Sequence, residues 1–95
     1  MKLDIFDVPM EVRKTAKEEC ERLNTKLISI TRKSTNPAED FLYVVIGKKN
    51  KPLWDGKEYC VWTMNTSLAG FYDGAYDLSS ISAQKNAIDR IWDNE

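Results

Sequence analysis

"FLYVVI", residues 41–46, is six apolar residues in a row, half of them β-branched and two of them aromatic. Side chains alternate sides along a strand, so an uninterrupted apolar run places hydrophobic groups on both faces of a sheet. The run therefore predicts a central strand with cover on both sides. That expectation organises the rest of the chain around it.

Upstream, "RKSTNPAED" reads as a loop, because Asn36-Pro37 breaks regular structure. Before it, "LISIT", residues 27–31, reads as a second, shorter strand. A first helix is expected from about Asp7 to Pro9, with Asp7 accepting from free N–H groups and Pro9 in the first turn. Val12, Ala16, Cys20 and Leu23 then form one apolar stripe, and "LNTK" ends the helix.

Downstream, "YCVWTMN", residues 59–65, predicts a third strand. Cys60, Trp62 and Met64 share one face; Tyr59, Val61 and Thr63 share the other. Between these strands lies "GKKNKPLWDGKE", where Asp55-Gly56 is a hairpin signal. Residues 52–54, "PLW", are a candidate fourth strand that Pro52 would confine to an edge. Otherwise the segment is one long tip. "GFYDGAYDLSS", residues 70–80, reads as a loop with a turn at Asp73-Gly74, and it precedes a closing helix from about Ser79 to Trp92. Asp77, Ser79 and Ser80 are all competent caps. The apolar face of that helix is assigned to Ile81, Ile88, Ile91 and Trp92, with Ala87 beside them and Gln84 and Lys85 interrupting. The fold class is α+β: a three- or four-stranded antiparallel sheet with an N-terminal and a C-terminal helix, in one domain over residues 1–95.

Ninety-five residues with 42% apolar and 31% charged side chains suit one soluble domain. The formal net charge of −1 supplies no strong global field for nucleic acid or membrane. Acids within "MKLDIFDVPMEV" do not fit a signal peptide, and a cytoplasmic location is the default expectation. Cys20 and Cys60 are expected as reduced core thiols. The chain has no histidine, which excludes Ser-His-Asp and Cys-His catalysis within it. The expectation is a non-enzymatic protein with no cofactor and no metal.

Two constellations carry functional candidates. In the 70–80 stretch, Phe71, Tyr72 and Tyr76 surround Asp73. With Trp54 they form a candidate protein-contact set, since tyrosine and tryptophan bury much area and keep a polar tip. The competing reading is that the rings fold back and plug the sheet end. The second constellation is basic. Residues 26–57 hold seven Lys or Arg against Glu39, Asp40 and Asp55, while residues 71–95 hold two against five acids. Lys48, Lys49, Lys51 and Lys57 with Trp54 could grip phosphates and stack a base. The competing reading is a solvated hairpin whose lysines guard an edge from aggregation.

The last third, "YCVWTMNTSLAGFYDGAYDLSSISAQKNAIDRIWD", resembles the C-terminal part of small phage and prophage proteins, through Val61, Trp62, Gly70, Phe71, Gly74, Tyr76, Asp77 and Arg90. Those proteins commonly carry histidine where this chain has Ala75. The resemblance implies a phage context, and with it a counter-defence inhibitor of the anti-CRISPR type that blocks a host nuclease or its complex. The alternative is a small nucleic-acid-binding accessory protein using the basic 48–57 segment.

Overall fold

The computed structural model describes residues 4–33, 36, 38, 41–50, 56–68 and 70–92. Helix α1, Met10–Arg22, is followed by strands β1 (Thr25–Arg32), β2 (Leu42–Lys49), β3 (Tyr59–Asn65) and β4 (Gly70–Leu78), and then by helix α2, Ser80–Ile91. The strands lie in the order β1-β2-β3-β4, each antiparallel to its neighbour. The α+β class and the antiparallel sheet between terminal helices are as the sequence predicts.

The two middle strands show why. Five consecutive residues are buried in each, Tyr43 to Gly47 in β2 and Cys60 to Met64 in β3. One face of the sheet carries Ile30, Tyr43, Val45, Cys60, Trp62 and Met64, packed with Val8, Ala16 and Cys20 of the N-terminal segment and α1. The other carries Val44, Ile46 and Val61 against Ala83 and Ala87 of α2. The helices therefore cover opposite faces, and the unbroken apolar runs are what a sheet sandwiched between them requires.

Helix α1 departs from its expected cap. Pro9 occupies the cap position and makes no side-chain cap bond; its carbonyl accepts from the N–H groups of Val12 and Arg13 at 3.1 Å. Asp7 serves differently: its backbone carbonyl accepts from the buried Arg32 guanidinium. At the other end, Asn24 takes the left-handed conformation (φ 57°) that stops a helix. The Thr25 hydroxyl donates to the carbonyl of Cys20 at 2.8 Å. Cys20 and Cys60 are both buried free thiols, and burial pushes both above the usual thiol range.

Two readings of the sequence are corrected. The first is Gly70–Leu78, expected as a loop, which is the fourth strand. It pairs with β3 through two bulges: Thr63 faces Tyr72, Val61 faces Ala75 and Tyr59 faces Leu78. Two β4 residues thus oppose one β3 residue twice in succession. Asp73 (φ 55°) and Asp77 (φ 57°) adopt the left-handed backbone at the two bulges. The glycines and aspartates that read as turn chemistry are bulge chemistry. The proposed extra strand at 52–54 lies outside the described residues.

The second correction is the rotation of α2. Ile81, Ile88 and Trp92 are 80%, 53% and 66% exposed. The face against the sheet is Ala83 and Ala87, joined by the partly buried Ile91. Branched side chains from the sheet fill this layer, and methyl groups let the helix axis approach closely enough to meet them. The cap is Ser79, whose hydroxyl oxygen accepts from the Ser82 N–H at 3.1 Å. At the C-terminus, Lys33 donates to the carbonyl of Arg90 at 2.9 Å, a cation on the negative end of the helix dipole.

Candidate functional site

Trp62 organises the side of the sheet where β4 forms the edge. It is 2% exposed and stands on the α1 face of β3. The Phe71 ring stacks on it at 4.9 Å between centroids with 24° between planes. Tyr76 meets it edge-on at 6.1 Å and 74°, and the indole Nε1–H donates to the Tyr76 hydroxyl at 3.1 Å. Two glycines accommodate these rings. A Cβ on Gly47 would lie 2.8 Å from Cζ3 of Trp62, and one on Gly74 would overlap the Tyr76 phenol and lie 2.9 Å from Cδ1 of Trp62. Any larger residue at either place would have to displace an aromatic ring.

The plug and contact readings of the 70–80 rings thus divide by residue. Phe71 is partly buried against the core and holds the strand down. Tyr72 and Tyr76 remain 44% and 55% exposed. Tyr72 lies opposite Thr63 and shares the α2 face, whereas Tyr76 lies over Trp62 on the α1 face. The two rings straddle the β4 edge, which pairs with no further strand among the described residues, with exposed Asp73 between them.

Both bulges are clamped from elsewhere in the chain. Arg90 of α2 donates to the Asp73 carbonyl at 2.6 Å, to the Thr63 hydroxyl at 3.0 Å and to the Asn86 side-chain oxygen at 2.7 Å. Lys49 of β2 pairs with the Asp77 carboxylate at 2.5 Å, and this bond raises the lysine above its ordinary range. Each left-handed aspartate is therefore pinned, one through its backbone and one through its side chain. Arg90 and Lys49 were not singled out as clamps by sequence reasoning. The available signal was the repeated Tyr-Asp at 72–73 and 76–77, four residues apart, which coincides with the two bulges.

The basic candidates are dispersed. Lys48 and Lys49 are neighbours on one strand, so they face opposite sides of the sheet. Lys48 pairs with Glu58 at 3.2 Å and lies 5.9 Å from the centre of the Tyr59 ring. The Glu58 carboxylate bonded to it raises the Lys48 pKa. Lys57 is exposed. Lys51 and Trp54 lie outside the described residues.

Two clefts, of about 400 and 360 Å³, are both lined in part by Asn50. Leu23, Asn24 and Lys49 line one; Lys17, Glu21, Thr25, Lys26 and Leu27 line the other. Among the described lining residues neither brings a nucleophile to a base. Among the described residues no group of three or more acids and cysteines is placed to hold a metal ion. Among them, too, no helix is long and apolar enough to cross a membrane. No protein-family model, curated protein or solved structure matches the chain.

Proposed function

We propose that this protein is a non-enzymatic binding module that docks on another protein through the β4 edge, with Tyr72, Asp73 and Tyr76 as its central contacts and Phe71 as the support beneath them. One observation carries the reading. Two half-exposed tyrosines flank an exposed aspartate on a strand whose unusual backbone is fixed by Arg90 and Lys49. Preformed geometry lowers the ordering cost of association, and tyrosine is among the residues that dominate interface energies. The double bulge also keeps the edge from pairing with other strands, so binding would rest on side chains rather than on sheet extension.

The C-terminal resemblance supports a specific setting: a cytoplasmic phage protein that inhibits a host defence nuclease or its complex by occupying it. Asp73 complements a basic nucleic-acid groove on such a partner, whereas the Asp77 carboxylate is already paired with Lys49. Direct nucleic-acid binding is the weaker reading. Lys48 and Lys49 face opposite sides and each already meets an acid, which does not make one phosphate track.

Capture of the partner from a bacterial host extract tests the edge. Tyr72→Ala and Asp73→Lys are expected to weaken capture about tenfold or more each. Tyr72→Ala should leave stability within about 1 kcal/mol of wild type, and Asp73→Lys should cost about 1 kcal/mol or less, because lysine tolerates the left-handed backbone at 73 less well than aspartate. Undiminished capture by both variants would remove the β4 edge as the interface. Salt-dependent binding of single-stranded nucleic acid, abolished by Lys48→Ala with Lys49→Ala, would move the assignment to the basic segment.

A further inference from the structure

The outer face of α2 is a second surface that the β4 reading leaves unused. At 100° per residue, Ile81, Ile88 and Trp92 fall within an arc of about 40°. They point away from the Ala83–Ala87 face that meets the sheet, and all three are largely exposed. Lys85 and Asp89 flank the stripe on one side, 79% and 66% exposed at the side chain and 3.5 Å apart.

We propose that this face docks a second copy of the same chain, with the two α2 helices antiparallel about a two-fold axis. The stripe and its charged flank are self-complementary, as an isologous contact demands. The midpoint of the stripe falls between Asn86 and Ala87. Reversing the helix about that point sets Ile81 of one copy level with Trp92 of the other. It leaves Lys85 within about one residue's rise, roughly 1.5 Å along the axis, of Asp89 in the other copy. A two-fold normal to the plane of both helices keeps front flank on front flank, so each Lys85 meets an Asp89 on the same side. The two ion pairs then close one flank, and Ile81, Ile88 and Trp92 interdigitate in the seam at the shallow crossing angle common to antiparallel helices.

Charge argues against the other evident occupant, an anionic lipid surface. An interfacial helix carries many Lys and Arg beside its apolar stripe. Here Lys85 is matched by Asp89, and Arg90 is turned inward onto Thr63 and Asp73. Three apolar side chains per copy make a small contact, at the low end of specific interfaces, so the dimer is weak and concentration-dependent.

Sedimentation of the full chain across a concentration series tests this. The expected result is a monomer–dimer equilibrium with a dissociation constant on the order of 10–100 μM. Ile88→Asp, which places a carboxylate in the seam of both copies, should weaken it about tenfold or more while the melt of the dilute protein stays in place. Lys85→Asp should weaken it too, and adding Asp89→Lys should restore it; this pair reads the same seam should Ile88→Asp disturb folding. Tyr72→Ala should leave the dimer intact, which separates this proposal from the one on β4. A single-chain mass up to about 500 μM would overturn it. So would a dimer indifferent to Ile88→Asp and Lys85→Asp, or a monomer that floats with phosphatidylserine vesicles.

Discussion

Replacing Trp62 with alanine is expected to destabilise the protein by about 3–5 kcal/mol, the largest effect of any single change considered. The side chain is almost fully buried in a central strand. Its removal deletes the stack with Phe71 and the edge contact and hydrogen bond with Tyr76. It also leaves a void beside Gly47, whose missing Cβ is the space the indole now fills. A glycine cannot extend into that void, so collapse around it is limited. In a domain of this size each kcal/mol corresponds to about 4–8 °C in melting temperature. Denaturant titration followed by circular dichroism measures the loss. A Trp62→Ala variant within about 1 kcal/mol of wild type would mean that the aromatic cluster does not hold β4 to the sheet.

Ala83→Leu should be the next most damaging change, at about 1–3 kcal/mol or more, whereas Ile81→Ala should fall within about 0.5 kcal/mol of wild type. Ala83 has no exposed surface and sits against Val44, Ile46 and Val61. An isobutyl group there has no room unless α2 lifts from the sheet. Ile81 projects from the opposite side and is 80% exposed. The pair of measurements fixes the rotation of α2. A larger loss from Ile81→Ala than from Ala83→Leu would turn the helix half-way round, and the self-docking stripe would become core.

Those two changes also show where sequence reading succeeds. The centre of the sheet was legible because β2 and β3 are apolar on both faces, a pattern with few other physical outcomes. The rotation of α2 was not legible from the helix itself. Its isoleucines outweigh its alanines on any hydrophobic scale, and the choice of alanine is made by the branched side chains of β2 and β3 beneath it. The fourth strand was hidden for a different reason. Gly70, Asp73-Gly74 and Asp77 are turn residues by composition, and a bulge uses the same left-handed backbone as a turn. Of the candidate site, Tyr72, Asp73 and Tyr76 could be picked out by residue type. The clamps could not, because Arg90 and Lys49 reach β4 from 17 and 28 residues away in the chain. Their roles exist only once the sheet and α2 have come together.

In the proposed function β4 acts as a preformed contact edge. Amide hydrogen exchange of the protein, free and in complex with the captured partner, tests it most directly. Residues 70–78 are expected to gain protection on binding, with little change in β2 and β3, whose buried residues are already shielded. Unchanged exchange across 70–78, with new protection confined to residues 48–57, would contradict the account and place the interface on the basic segment.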